Sequence, residues 1–322
     1  MRALFTTGGL IGIFCEEPTH FGRGRAVGLV DLPIQRSSVT NLPIGQSSSI
    51  RGMLRSFLVL NGKKELAESV FGSEPGEVET RAGHVDISDA KLLLMAVRSV
   101  VGLFCWLTCP TCLNDLCRAL IRVKEVTDKS LSNLHLPKEL LESLEEILKK
   151  QVPKGGALVP RNSENVIEIH GKLVLLDGEI ELEAKSDENV NALAEPLSNF
   201  VVPAEGYLKN VFKRRFAIVE DDVFKFATER GLEVATRIRT NYETKTVERG
   251  GLWSEEYLPA FSFLFSEVYF HRRVPTEEGE VEADEFRKFM EFIDSKRVFV
   301  GGKEGVGKGL VYLKAYYERD TA

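Results

Sequence analysis

The chain has 322 residues, 43% of them hydrophobic and 28% charged, enough to bury one large core or two modest ones. Its formal net charge of −6 excludes a protein that is basic throughout but leaves room for a local basic face. No apolar run is long enough to span a bilayer, and the N-terminus reads as an alternating strand rather than a signal peptide, so the expectation is a cytoplasmic protein with no membrane partner.

The charge is unevenly spread: residues 1–55 hold six arginines (Arg2, Arg23, Arg25, Arg36, Arg51, Arg55) against Glu16, Glu17 and Asp31, a net of +3, so the remainder carries −9. Ala3 to Phe14 alternates and then runs apolar, the pattern of a central strand. After the Gly22-Arg23-Gly24-Arg25 loop, Ala26 to Ile34 reads as a second extended piece bearing one carboxylate, Asp31, with Leu32 held extended by Pro33. Ser47, Ser48 and Ser49 supply capping oxygens for a helix from Ile50 to Leu60. On that helix Arg51 and Arg55 stand four apart on one face.

A short helix is predicted over Lys63–Phe71, then an acidic loop, Gly72–Gly83. The apolar segments Val85–Leu94 and Ser99–Cys109 read as strand or buried helix. Pro110 suits the first turn of a helix to about Val123. Lys138–Lys150 has helical spacing, acids early and lysines late, and reads as an inserted surface helix. Ile167–Glu183 contains two short strands around Asp177-Gly178, and a helix capped by Asp221 and Asp222 runs to Arg230. Within Glu233–Phe270 the excursion Arg237–Leu252 is too polar for core yet has strand propensity, which predicts a projecting hairpin. An amphipathic helix (Ala283–Ser295) and a last strand (Gly309–Tyr317) close the chain. Strands and helices alternate irregularly, so the fold class is α+β.

Five features have competing readings. Gly302 to Gly309 contains G-x-x-x-x-G-K, but Gly309 stands where a P-loop needs Ser or Thr and a strand pattern follows, so a glycine-rich turn that lets backbone approach RNA or the sheet is the better fit. Cys105, Cys109, Cys112 and Cys117 invite a metal reading, yet their neighbours are Leu, Phe, Trp and Pro, which favours structural thiols. His20, before the GRGR loop, is either a hydrogen-bonded structural residue or a catalyst. Asp31 taken alone reads as a strand-end carboxylate pairing with Arg23, Arg25 or Arg36 ahead of a reactive group, and Arg51 and Arg55 are a solvated face or a grip on adjacent phosphates.

Val30-Asp31-Leu32-Pro33-Ile34-Gln35-Arg36, Ser48-Ser49-Ile50-Arg51-Gly52-Met53-Leu54-Arg55, Ser88-Asp89-Ala90-Lys91-Leu92-Leu93, Val97-Arg98-Ser99 and Phe104 to Pro110, in this order and spacing, resemble the repeated backbone subunit of the type III-B (Cmr) CRISPR effector, a Cas7-like RAMP-superfamily ribonuclease. The resemblance covers nearly the whole chain. It implies a ferredoxin-like, RRM-like palm (1–236 and 253–322) with inserted helices, and a β-hairpin thumb at 237–252 carrying Arg237, Arg239, Tyr242, Glu243, Lys245, Glu248 and Arg249. Partners implied are crRNA, single-stranded target RNA, further copies in a helical backbone and other Cmr subunits. Asp31 matches the family's catalytic aspartate. It is expected to accept the 2′-hydroxyl proton or hold a divalent metal (Mg or Mn) while the thumb splays a base, with His20, Tyr242, Glu243 and Glu248 as second-line groups. Arg23, Arg25, Arg36, Ser48, Ser49, Arg51, Arg55, Lys303 and Lys308 are the expected RNA contacts. The alternative is a non-catalytic scaffold that coats crRNA.

Overall fold

The computed structural model describes residues 5–26, 28–73, 82–127, 134–137, 139–203, 206–271 and 279–318. Residues 1–4, Val27, Lys138 and most of the expected acidic loop (74–81) lie outside the described residues. The first half of the chain forms β1 (Phe5–Cys15), β2 (Ile44–Gly45), α1 (Ser47–Leu60), α2 (Lys64–Phe71), β3 (Val85–Ile87), β4 (Ala90–Arg98), β5 (Phe104–Thr108), α3 (Pro110–Thr127) and α4 (Leu140–Leu148). Next come β6 (Gly156–Val159), β7 (Val166–Ile167), β8 (Lys172–Leu175), β9 (Ile180–Ser186), α5 (Glu188–Val201), α6 (Tyr207–Phe212), β10 (Phe216–Val219) and α7 (Asp221–Arg230). The remainder is β11 (Glu233–Thr240), β12 (Val247–Tyr257), β13 (Phe263–His271), α8 (Gly279–Ile293), β14 (Arg297–Phe299) and β15 (Leu310–Tyr316). No helix among the described residues is long and apolar enough to cross a membrane.

Among the described residues thirteen strands join in one sheet, ordered β14-β15-β1-β13-β4-β5-β10-β6-β9-β8-β7, with β2 on β4 and β3 on β13. The pairing is antiparallel apart from β5–β10 and β6–β9. The architecture is α+β, as expected. Helices cover both faces, which is why β1 can be buried from Gly8 to Cys15. Alternate residues of β13 show the two layers: Phe270 packs on Phe286 of α8, and Phe263 on Phe200 of α5. Burial of each such ring is worth roughly 2–3 kcal/mol.

Several local expectations change. The α1 cap is not a serine: Gln46 occupies the cap without a side-chain bond, and Asp89 Oδ1 accepts from the Ser47 N–H at 2.7 Å. Likewise Asp221 does not cap α7 but accepts from Thr111 N–H in the first turn of α3, at 3.0 Å. In both cases a distant acid serves a helix end that a local side chain was expected to serve. The helix expected over 138–150 is present as α4, an amphipathic surface helix whose Leu140, Leu144 and Ile147 are buried while Glu142, Glu145 and Glu146 are exposed. Pro196 lies inside α5, which hid that helix from pattern reading. Burial of Val190, Leu193, Leu197 and Phe200 offsets its missing N–H. The extended piece expected at Ala26–Ile34 is a loop in its first part, closed by Ala26 N–H donating to Asp31 O at 3.0 Å, and Leu29 is fully exposed. The expected hairpin is present and longer than 237–252. β11 and β12 form their own two-stranded sheet from Glu233 to Tyr257, its distal half open to solvent on both sides.

Candidate nucleic-acid interface

The site begins with a short parallel strand addition. Leu32 N–H donates to Ser254 O and Glu256 N–H donates to Leu32 O, both at 3.0 Å, so residues 31–34 run beside β12 at the base of the hairpin. Asp31 is thereby set against Ser254. Its Oδ2 accepts from the Ser254 N–H at 2.8 Å and the Ser254 hydroxyl at 2.9 Å. These bonds, the backbone one first, together with nearby Arg25, hold the carboxyl below the usual aspartate range. The side chain is exposed, and Oδ1 has no hydrogen-bond partner among the described residues. It faces a cleft lined by Arg25, Leu32, Arg239, Leu252, Trp253 and Lys303.

Beneath this cleft lies Glu255, a residue the sequence reading passed over. It is 1% exposed and accepts from Trp253 Nε1 at 2.6 Å, Lys303 Nζ at 2.5 Å, Arg237 Nε at 3.3 Å and the Tyr257 hydroxyl. Burial alone would push its pKa up. The bonds from Lys303, Tyr257 and Trp253 outweigh that and hold it at about 2. The available signal was Trp253, Glu255 and Tyr257 at period-two spacing, which puts an acid between two hydrogen-bonding aromatics on one face of a strand.

A second groove, of about 740 Å³, runs between α1 and the glycine-rich loop. One end is polar, with Gly22, Gly24, Ser48, Ser49, Gly301 and Gly302; the other is apolar, with Met53, Phe57, Leu60 and Phe299. The loop docks onto the segment before Asp31, since Gly302 N–H donates to His20 O at 3.0 Å. A Cβ on Gly301 would lie 2.3 Å from that carbonyl, so the glycine is required. As expected, the strand β15 follows the loop where a P-loop would have a helix. His20 is buried, and its Nδ1 donates to Glu256 O at 2.7 Å. It lines this groove and not the Asp31 cleft, so the structure does not bring the two expected catalytic groups together.

The expected RNA contacts divide into free and committed groups. Arg23 and Arg25 are exposed, Ser48 and Ser49 open into the groove, and Arg55 makes no hydrogen bond or ion pair among the described residues. Two arginines correct the expectation. Arg36 donates to Asn41 O and Thr228 O, both at 2.8 Å. Arg51 donates to Val85 O at 2.7 Å and Phe71 O at 2.8 Å, its guanidinium over the Phe71 ring. Both arginines brace main chain and have little left for phosphate. Lys303 is paired with Glu255, and Lys308 with Glu233 at 2.8 Å.

On the hairpin, Arg239 pairs with Glu248, Arg249 is exposed, and Tyr242 is 90% exposed with Lys245 over its ring. Glu243 N–H and Thr244 N–H donate to Asn241 Oδ1, which closes the tip. Ser254 pairs with Thr236, so Tyr242 and Glu243 lie six residues further out, about 20 Å from Asp31 at the usual strand rise. At that distance neither side chain assists Asp31 directly, one of the second-line roles expected of them.

Among the described residues no three His, Cys, Asp or Glu are arranged to hold a metal, and all five cysteines are buried free thiols. The donor chemistry at Asp31 is one open carboxylate oxygen beside Arg25, Arg239 and Lys303. Such a set fits a hydrated magnesium or manganese ion that arrives on RNA phosphates, and does not fit one held by the protein alone.

With the geometry in place, comparison with known proteins gives the lineage. The pattern of the RAMP superfamily matches residues 14–312. The chain is 30% identical over 313 residues to the CRISPR system Cmr endoribonuclease Cmr4 of Pyrococcus furiosus, covering 94% of this chain and 93% of that one. It is 28% identical over 300 residues to the CRISPR system CMR subunit Cmr4 of Saccharolobus solfataricus, covering 88% of each. Its fold overlays on a chain of a type III-B Cmr-beta assembly in the apo state with a TM-score of 0.73 at 23% identity, covering 99% of both. For oligomeric Cmr4 from Pyrococcus furiosus the TM-score is 0.68 at 24% identity, covering 98% of this chain and 100% of that one. The chain belongs to the RAMP superfamily, and within it to the Cas7-like subunits of type III-B Cmr systems.

Proposed function

We propose that this chain coats crRNA as a repeated backbone subunit and cuts the guide-paired target RNA beside each hairpin. The observation that carries the reading is Asp31, fixed by Ser254 to the base of the hairpin in a cleft with Arg25, Arg239 and Lys303. A Pyrococcus furiosus relative that is named as an endoribonuclease and solved as an oligomer, and a Cmr-beta assembly bound to cognate target RNA, support it. In this reading the sheet is a ferredoxin-like palm, the hairpin is its thumb, and copies stack head to tail, a contact that need not close into a ring. The polar end of the α1 groove, with Ser48 and Ser49, follows the guide backbone, helped by exposed Arg23 and by Arg55, which lies on α1 outside the groove.

RNA carries its own nucleophile. An A-form duplex keeps the 2′-hydroxyl out of line with the 5′-oxygen, and a hairpin wedged into the strand rotates the sugar into line, an effect worth several kcal/mol, by order of magnitude. Asp31 Oδ1 accepts the 2′-hydroxyl hydrogen bond. The 2′-oxygen bonds to phosphorus as its proton passes to Asp31 or water, the bond to the 5′-oxygen breaks, and that oxygen takes a proton from water, leaving a 2′,3′-cyclic phosphate and a 5′-hydroxyl. Because Ser254 lowers the Asp31 pKa, the carboxylate is a weak base, and positioning does most of the work. Arg25 and Arg239 offset charge gathering on the phosphate. A divalent cation brought in on the RNA would take Asp31 as its protein ligand and screen the same charge.

A second reading has its own support: with Oδ2 bonded twice to Ser254, Asp31 is also a brace for the hairpin in a scaffold without activity. Asp31→Asn in assembled complexes with end-labelled target separates the two. Target binding should be unchanged and cleavage should fall by about 10²–10⁴-fold. Cleavage at the wild-type rate would leave the scaffold standing.

A further inference from the structure

The turn between β4 and β5 is Ser99-Val100-Val101-Gly102-Leu103, an unusual composition where polar turn residues are the rule. Leu103 is 80% exposed, Val100 58% and Val101 36%. Leu103 also sits at φ +71, a left-handed conformation that a leucine adopts only at a cost and only when its surroundings impose it.

The surroundings do impose it. Asn165 is fully buried, and its Nδ2 donates to Val101 O at 2.8 Å and Phe104 O at 3.0 Å. Gly102, at φ +80, leaves room for that amide, since a Cβ there would stand 2.8 Å from Nδ2. Ser99 N–H donates to Leu103 O, and Val100 N–H to Val174 O. A buried side chain, a bond across the turn and the neighbouring strand β8 thus hold an apolar knob rigid in solvent, which lowers the entropy cost of docking it.

The same chain carries a socket of matching chemistry. Leu60, 84% exposed at the end of α1, and Phe299, 42% exposed on the edge strand β14, form the apolar end of the α1 groove with Met53 and Phe57. We propose that the 100–103 knob of one copy docks into the Leu60–Phe299 end of the α1 groove of the next copy. Knob and socket are different surfaces, so the contact is heterologous and propagates. The polar end of the groove stays open for the guide. This assignment rests on the self-assembling reading given above and adds which surfaces meet.

Buried native thiols make the test clean, because an engineered surface cysteine is then the accessible one. Leu103→Cys together with Leu60→Cys, treated with a short bismaleimide in guide-assembled complexes, should give covalent ladders on denaturing gels. A mixture of the two single variants should stop at dimers. Leu103→Gly, which removes the side chain and relieves the left-handed strain, should raise the monomer's unfolding temperature while cutting the cross-linkable oligomer at least tenfold. Oligomers that persist in native mass spectra without a ladder would overturn the knob-and-socket assignment while leaving self-assembly intact. Absence of oligomers in the wild-type chain with guide would overturn both.

Discussion

Glu255 gathers a cation from its own hairpin, Arg237, and one from the glycine-rich loop, Lys303, about a carboxylate that is almost wholly buried. Removing one partner of such a group costs about 3–5 kcal/mol, because the other charges stay behind without compensation. Glu255→Gln is therefore expected to lower the unfolding temperature by several degrees at pH 7. The sign with pH follows from the pKa: it falls from an ordinary 4.5 to about 2 on folding, so the stabilisation is present above pH 4.5 and is lost as pH drops toward 2. Thermal melts from pH 7 to pH 3 should show wild type and variant converging in acid; parallel curves would mean that Glu255 is not held as described. The residue escaped sequence reading because its role depends on Lys303, 48 positions away, and strand spacing does not report that partner. Asp31 was legible for the opposite reason. Its neighbours in sequence, the GRGR loop and Pro33, already mark a strand-end acid among cations, although the loop before it and Ser254 were not foreseen.

At the scale of an element, α1 shows why charge pattern alone misassigns arginines. Arg51 and Arg55 are four residues apart on one helix, and from spacing they look equivalent. The fold separates them, since Arg51 is turned toward Phe71 and the β3 carbonyl Val85 O, while Arg55 has no such bond among the described residues. Arg51→Ala should cost about 2–3 kcal/mol, the worth of hydrogen bonds from a charged donor to partly buried carbonyls. It should leave the salt dependence of guide binding unchanged once the variant is folded. Arg55→Ala should leave stability within about 0.5 kcal/mol and reduce the slope of log affinity against log salt by about one. Guide titrations at several salt concentrations, paired with chemical denaturation, decide it: a salt slope altered by Arg51→Ala alone would reverse the two roles. Element existence was largely readable, because β1, α1, the hairpin and β15 each carry a clear period. The two long-range helix caps, Asp89 and Asp221, were not, because a cap supplied from another strand or helix leaves no local trace.

For the molecule as a whole, the question is whether the hairpin is part of the folding unit or an instrument mounted on it. Beyond the Ile238–Leu252 pair its residues are exposed almost throughout, and it joins the rest through the Leu32 bridge, the Glu255 network and the Lys308–Glu233 pair, all at its base. The distal part therefore contributes little to stability, and its removal should be nearly silent there. Replacing residues 239–251 with Asn-Gly, a sequence suited to a two-residue hairpin turn, is expected to keep the unfolding temperature within about 2 °C of wild type, since surface changes of this kind usually fall within 0.5 kcal/mol. Guide-bound oligomers and target binding should survive, because neither the α1 groove nor the 100–103 knob is touched. Cleavage should be lost although Asp31 and Ser254 are intact, because the replacement takes Arg239 out of the cleft and leaves a carboxylate too weak as a base to act on a strand that nothing has bent out of A-form. Cutting at the wild-type positions by the shortened protein would transfer the work of distortion from the hairpin to the palm, and the loss of oligomers would make the hairpin a structural link between copies.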